Sequence, residues 1–598
     1  MKNKFSVINN IRYILKDVSE WDRGILSFFL LYVLAHAFVP LINVLIPRYI
    51  INQVMQKNEW GNIVKLLIVL FGLVTVLELL KEYVVSIHDS KITYVRFKYL
   101  AKFYKRVMLI EFERLESPEV LDGIEQSCTF TGSSQKGLAI YIKKCLETAI
   151  DFIFILVALG LLVSLQNWLL VILAACGITH FLVHKAQYQY ELSKEPELNG
   201  IQRKIQYYET LFAKDSNGKD IRLFDMKSWL LGQMNESIRR YSKVIKQIMR
   251  RDGFTNFVDA IFLCVREAVI YGYLICEVIT GRMLIGDFAF FLLLMMQFTN
   301  SVIRCSNNCA ALSEENKKMT RFRVFIEGSS TEEEKTQVLP EDFELRFENV
   351  CFKYPGATEN TLNNINISIK KGEKTGLVGE NGSGKTTLIK LICGFYKPTS
   401  GCIYLNGVPI QNIDKKSMQA CISAVFQDVN VLDFSIRENV AMKSRSFLDE
   451  RLCDKALEHV GLYEKFSSFE NQGDTFIGKS IDENGIYLSG GEAQKLVIAR
   501  GDYRQASFLM MDEPTSSLDP LAEKEIYEAY NGISDNNASI YISHRLSSTR
   551  FCDKIIVLKK GCVCEQGTHK ELIQLGGIYA EMFRIQSQYY GGRNNEET

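Results

Sequence analysis

Thr375-Gly-Leu-Val378 runs directly into Gly379-Glu-Asn-Gly-Ser-Gly-Lys385-Thr386-Thr387, and this stretch decides how the second half of the chain is read. The first four residues form a short strand of the buried type, and Leu388 to Cys393 has the character of a helix. Between them, Gly379, Gly382 and Gly384 let backbone N–H groups close around phosphate oxygens, and the helix start adds the positive end of its dipole. Lys385 supplies a point charge to the terminal phosphates, and the Thr386 hydroxyl is a hard oxygen ligand suited to Mg2+. Strand, glycine loop and helix in that order make a P-loop. Gly379, Glu380, Asn381, Gly382, Ser383, Gly384, Lys385, Thr386 and Thr387 are therefore the candidate ATP-binding loop.

Downstream, Phe508-Leu-Met-Met-Asp512-Glu513 reads as a second buried strand with two carboxylates emerging at its end. Asp512 is placed to hold the magnesium-bound water shell. Glu513 is placed to orient the attacking water or accept its proton for in-line phosphoryl transfer. Two acids after a strand say little alone, but downstream of a P-loop they complete a hydrolytic site.

Between the two lies Leu488-Ser489-Gly490-Gly491-Glu492, which resembles the signature of ATP-binding-cassette (ABC) proteins. The remaining cassette elements follow in that family's order. Tyr354 resembles the aromatic that stacks on adenine, and Gln427 the glutamine that senses magnesium and attacking water. Ser516-Ser-Leu-Asp519 resembles the D-loop, and His544 the histidine that contacts the γ-phosphate. The resemblance implies a catalytic set of Glu513, His544 and Gln427, with Thr386, Gln427 and Asp512 at Mg2+. It also implies a dimer, because Ser489, Gly490 and Gly491 would cap ATP held by a partner's P-loop. One departure stands out: Glu492 occupies a position where the family most often has Gln, and Ala493-Gln494-Lys495 replaces its usual basic stretch. Either the variant is tolerated, since Glu can also cap a helix start, or this signature serves the weaker site of a heterodimer.

The 598 residues exceed one core, and the first half has a different composition. A hydrocarbon layer of about 30 Å needs roughly 20 mostly apolar helical residues to cross it. Six segments approach that standard: 24–47, 61–80, 146–165, 168–183, 257–279 and 288–303. The loops after the first, third and fifth are short and hold few cations. The others are long and basic, one carrying Lys91, Arg96, Lys98, Lys102, Lys105 and Arg106, the other Arg203, Lys204, Arg239, Arg240, Arg250 and Arg251. Cationic loops stay cytoplasmic, which places both termini and the P-loop half in the cytosol. These loops read as helical stalks, and Leu115-Glu-Ser-Pro118 and Leu211 to Arg222 are candidate tips reaching the second domain. Glu78, Asp151, Arg266 and Glu267 fall inside spans, where charge is costly unless paired or facing water. Arg266 and Glu267 either pair with each other or touch a cargo. His36 and His180 have no second ligand at metal spacing and read as packing residues.

The expected architecture is a six-helix all-α transmembrane domain over 1–326, a polar linker over 327–342, an α/β P-loop NTPase ABC domain over 343–590 and a tail over 591–598. Strand character resumes with the alternating Phe343, Leu345 and Phe347. A net charge of +1 gives no general affinity for nucleic acid, and the fifteen cysteines show no paired or metal-binding framework. Met1 to Asp22 lacks the apolar core of a signal peptide and leaves no room for a leader-cleaving peptidase. Helices fused ahead of a cassette resemble an exporter half-transporter of the plasma membrane, with ATP and Mg2+ as its cofactors. Its expected partners are a second half-transporter (identical or not), membrane lipid and a small hydrophobic or peptide cargo. Two other classes compete: a soluble cassette ATPase acting on ribosomes or DNA, disfavoured by the spans, and an ATP-gated regulatory protein that does not pump, disfavoured by the intact Glu513 and His544.

Overall fold

The computed structural model describes residues 5–56, 60–162, 167–214, 217–328, 343–427, 429–513, 537–543 and 546–590, without the side chains at 167–176, 178, 180, 181, 547, 548 and 588–590. Two compact units emerge: Met1–Leu109 with Pro118–Ser329, and Ile110–Ser117 with Ser330–Thr598. His544, Asp519 and the D-loop, residues 329–342 of the expected linker, and the tail lie outside the described residues.

The first unit is helical throughout: α1 (Val7–Trp21), α2 (Arg23–Met55), α3 (Trp60–Met108), and, past a short α4 (Phe112–Leu115) that belongs to the other unit, α5 (Pro118–Gly132), α6 (Leu138–Leu162), α7 (Asn167–Ala213), α8 (Gly218–Leu223), α9 (Lys227–Ile279) and α10 (Ile285–Glu327). Four expected spans fall on helices long and apolar enough to cross a membrane: α2, α3, α6 and α10. The other two fall within α7 and α9. The apolar run of α7 is short, and residues 257–279 of α9 are diluted by Asp259, Arg266, Glu267 and Glu277. As the basic loops imply, α3, α7, α9 and α10 run far beyond membrane thickness, α9 for 53 residues.

Exposure pattern distinguishes membrane surface from core. Ile68, Val69, Phe71 and Leu79 on α3 are each about two-thirds exposed or more, a run that water would not tolerate and lipid would cover. Toward one end, Val18, Val95, Tyr99, Phe103, Tyr141, Met319 and Phe322 join α1, α3, α6 and α10 in one core. Asn10 is buried there and donates to Asn316 Oδ1 at 2.9 Å and Thr320 Oγ1 at 3.1 Å, so its amide is satisfied. A second core joins Leu41, Phe154, Ala158, Leu274 and Leu294 from α2, α6, α9 and α10.

The charges inside the spans are paired. Asp151 accepts from Arg304 Nη2 at 2.9 Å and Asn308 Nδ2 at 3.3 Å, Glu78 from Lys81 at 2.7 Å, and Arg266 Nη2 lies 3.6 Å from Glu267 Oε1. His36 Nδ1 lies 2.9 Å from Tyr32 O, and its ring packs on the Tyr32 ring, as expected of a packing residue.

The second unit is α/β. Among the described residues its larger sheet has the order β10 (Cys562–Gly567), β9 (Lys554–Lys559), β3 (Lys374–Gly379), β8 (Ala538–Ile542), β7 (Phe508–Asp512), β6 (Ile422–Val425), all parallel except the β10 edge. β7 and β8 are buried at every position, which explains the apolar run Phe508–Met511 that opens β7. An antiparallel sheet of β2 (Leu362–Ile369), β1 (Leu345–Phe352), β4 (Ser400–Leu405) and β5 (Val408–Pro409) packs on one side, where Phe343, Leu345 and Phe347 are buried. Helices α11 (Lys385–Ile392), α12 (Lys415–Ala420), α13 (Ile436–Ala441), α14 (Glu450–His459), α15 (Tyr463–Ser467), α16 (Gly490–Tyr503), α17 (His569–Leu575) and α18 (Ile578–Tyr590) also belong to it.

Candidate functional site

The two central strands end where the chemistry should be. β3 ends at Gly379 and the loop re-enters α11 at Lys385, three residues before the start expected from apolar spacing, because Gly384 caps the helix in the left-handed region at φ 104°. A side chain at Gly384 would be strained there and would meet Leu362 Cδ2 at 2.5 Å. At Gly379 a Cβ would sit 2.3 Å from the Leu558 carbonyl oxygen and 2.6 Å from Ser383 Oγ. The loop is thus closed against β9 at Gly379, and Gly379 and Gly384 are required by contact, whereas a Cβ at Gly382 would meet nothing within 4 Å.

Inside the loop, Lys385 Nζ donates to Gly379 O at 2.8 Å and Glu380 O at 3.1 Å. Burial pushes its ammonium pKa below the ordinary value, and Glu513 and Asp512 oppose that shift. A cation held dry among backbone dipoles is poised for anionic oxygens. Ser383 Oγ is buried inside the loop and, among the described residues, has no hydrogen-bond partner. Asn381 and Gly382 are exposed at the rim, and Gly382 has φ 77°.

Across the sheet, Thr386 Oγ1 donates to Asp512 Oδ2 at 3.4 Å, so a hydroxyl and a carboxylate converge from β7 and α11. This hard-oxygen pair fits a magnesium ion. Glu513 leaves the strand at φ 50°, with its N–H bonded to Ile542 O at 3.1 Å. Its Oε2 accepts from Gln427 Nε2 at 3.2 Å. Successive strand residues point to opposite faces. The left-handed turn at Glu513 is what allows neighbouring acids to serve one site, Asp512 at Thr386 and Glu513 at Gln427.

Tyr354 is half-buried, edge-on to Phe352 and Tyr396, with its hydroxyl 3.0 Å from Thr387 Oγ1. It stands beside the start of α11, at the flank of the loop.

Ser489 is the N-cap of α16 and forms a capping box with Glu492: Ser489 Oγ accepts from the Glu492 N–H at 3.3 Å, and Glu492 Oε2 accepts from the Ser489 N–H at 3.0 Å. Ser489 and Gly490 are exposed at the helix start. The other Glu492 oxygen bonds Lys465 Nζ on α15.

Three contacts around the candidate site have no counterpart in the sequence reading. The Lys465–Glu492 link crosses 27 residues and has no motif. Arg500, half-buried on α16, donates to Asn439 O at 2.9 Å and Asn430 O at 3.3 Å, tying the signature helix to the segment after Gln427. The third is the tip of the first stalk, which begins earlier than the expected Leu115–Pro118. Phe112 stacks on Phe395 at 4.8 Å, Glu111 pairs with Lys415 at 2.7 Å, and Glu116 reaches Tyr396 and Lys390. A bulky aromatic between acids just past a helix end was the available signal. The second candidate tip holds all of α8 but its last residue, the exposed Leu223, which the exposed Phe224 follows; residues 215 and 216 lie outside the described residues.

Comparison with known proteins agrees with this geometry. Residues 362–516 match the family described as ABC transporter. The chain is 27% identical over 593 residues to the subtilin transport ATP-binding protein SpaT of Bacillus subtilis, covering 97% of this chain and 95% of that one. It is 28% identical over 559 residues to the nisin transport ATP-binding protein NisT of Lactococcus lactis subsp. lactis, covering 92% and 91%. The ATP-dependent lipid A-core flippase of Ralstonia nicotianae is 39% identical over 245 residues, 41% of each chain. A solved bacterial Atm1-family ABC exporter with ATP bound superposes with a TM-score of 0.81 at 20% identity, covering 96% of this chain and 99% of that one.

Proposed function

Because this chain is an ABC transporter of the exporter type, with fused transmembrane and ATP-binding halves, we propose that it exports an amphipathic peptide as one half of a dimer in the plasma membrane. It is a multi-pass membrane protein that couples ATP hydrolysis to export. The peptide reading draws on the transport proteins named for subtilin and nisin, which align over nearly their whole length; the flippases align over less than two-thirds of theirs.

One observation carries the mechanism: Glu513 is turned out of β7 onto Gln427 while Asp512 faces Thr386, both within electrostatic reach of Lys385. The amides of residues 379–387 and Lys385 grip the phosphates, with Ser383 Oγ as a further donor and Tyr354 beside the base. Thr386, Asp512 and Gln427 would hold magnesium, which when bound neutralises phosphate charge. Glu513 orients the attacking water and takes its proton, and Gln427 fixes that carboxylate. By the cassette resemblance His544 would contact the γ-phosphate and Asp519 would lie at the dimer contact; both fall outside the described residues. Ser489, Gly490 and Gly491 cap the nucleotide of the partner half-transporter.

The experiment is Glu513→Gln in the full chain reconstituted in lipid. Nucleotide binding persists while turnover falls at least 100-fold, the scale of a lost general base; retained turnover refutes the assignment. The partner is settled by the purified chain alone, which turns over ATP as a homodimer or stays silent until a second half-transporter is added. The capped and ion-paired Glu492 favours a competent signature, hence a homodimer.

A further inference from the structure

The departure at position 492 puts a carboxylate where an amide is usual, at the helix start that is to receive a partner's phosphate. A helix N-terminus attracts anions through its unpaired N–H groups, and Glu492 already occupies one of them, the Ser489 N–H. A formal negative charge at that point opposes a second anion. Its carboxyl is nevertheless held below its ordinary range: burial raises it, but bonds from Lys465 and from Ser489 outweigh that. Glu492 is therefore ionised whenever ATP would bind.

The charge is matched from outside the signature. Lys465 belongs to α15, a five-residue helix whose neighbouring Phe466 is 1% exposed and locked in the core. That anchor fixes the backbone from which Lys465 reaches Glu492 Oε1, while Glu492 Oε2 stays on Ser489. The lysine is about half exposed, so the pair adds little to folding stability. Its consequence is electrostatic.

We propose that Lys465 is a positioning and charge-balancing residue for the trans ATP site, required because residue 492 is Glu. It neutralises Glu492 and holds it in the capping box, so that Ser489 Oγ and the Gly490 and Gly491 amides face an incoming phosphate without a repelling charge behind them. This rests on the reading of Ser489–Gly491 as the trans cap, and it adds a residue 27 positions upstream to that cap.

The test is a double-mutant cycle on the full chain in lipid nanodiscs, reading ATP turnover against ATP concentration. Lys465→Met raises KM for ATP about tenfold with kcat changed less than twofold, the order expected for one unmatched charge beside a phosphate site. In the Glu492→Gln background the same Lys465→Met substitution changes KM by less than twofold, because an amide caps the helix without needing a cation. Lys465→Arg restores the parental KM. Unchanged thermal unfolding of Lys465→Met separates this from a folding defect. A tenfold loss in both backgrounds means Lys465 touches nucleotide itself and overturns the proposal, as does no loss in either. Silence of the parent chain, alone and with a second half-transporter, would instead defeat the ATPase reading and is seen before any variant is made.

Discussion

Removing the aromatic ring at Phe112 should separate ATP hydrolysis from transport. The ring is 38% exposed, stacked on Phe395 at 4.8 Å and 25°, and edge-on to Tyr396 at 5.9 Å. Complete burial of a Phe side chain stabilises by roughly 1.5–3 kcal/mol, so the buried share here is about 1–2 kcal/mol. An aromatic pair adds about 0.5–1.5 kcal/mol beyond area. Phe112→Ala therefore weakens seating of α4 on the ATP-binding unit by about 2 kcal/mol, roughly 30-fold in the docked-to-undocked ratio. The Glu111–Lys415 and Glu116–Lys390 pairs remain, but as exposed pairs each contributes about 0.2–1 kcal/mol. In proteoliposomes, ATP turnover stays within about threefold of the parent while peptide moved per ATP falls at least fivefold, and Phe112→Leu falls between. Equal loss of turnover and transport, or an unchanged ratio, refutes the idea that α4 transmits motion through this ring.

Two further outcomes follow from neighbouring features. The Glu111 carboxyl is held below its ordinary 4.5, first by the Lys415 hydrogen bond against a smaller effect of burial. A lowered folded pKa gives stabilisation that is complete above the unfolded value and is lost as pH falls through the folded one. Glu111→Gln should therefore reduce transport per ATP by the same factor at pH 6 and pH 8, and a defect that differs between them contradicts the pairing. Gly379→Ala places a methyl 2.3 Å from a backbone carbonyl that cannot give way, so nucleotide binding, measured by a fluorescent ATP analogue, should fall more than tenfold. Near-parental binding would mean that the loop is open where the structure shows it shut against Leu558.

What could be read from sequence was what local chemistry dictates. The P-loop, the apolar Phe508–Met511 run of β7, and the alternation of basic and cation-poor loops each follow from one periodicity or one cluster of residue types. The loop also announced its own helix, though Gly384 starts it at Lys385 because a left-handed cap is invisible to apolar spacing. The pairs that matter most were not legible. Asp151 with Arg304 is separated by 153 positions, and Lys465 with Glu492 by 27. In each, the sequence supplies a charge without saying which opposite charge the fold brings near.

Glu513 shows why adjacency in sequence does not by itself give the geometry of the proposed site. Asp512 and Glu513 are adjacent, and on an unbroken strand their side chains diverge to opposite faces. Only one could then reach the loop. The structure resolves this by turning Glu513 to φ 50°, a conformation costing a non-glycine residue about 1 kcal/mol, held by the bond of its N–H to Ile542 O on the adjacent strand. In the proposed mechanism that bond makes β8 part of the site, since a shift of β8 against β7 would return Glu513 toward strand conformation and withdraw it from Gln427. His544 follows β8 by two residues, so the strand that holds Glu513 in place leads directly into the segment bearing the candidate γ-phosphate contact. On the proposed assignment of Glu513, hydrolytic competence would depend on the register of β7 and β8, a property of the sheet that neither strand carries in its own sequence.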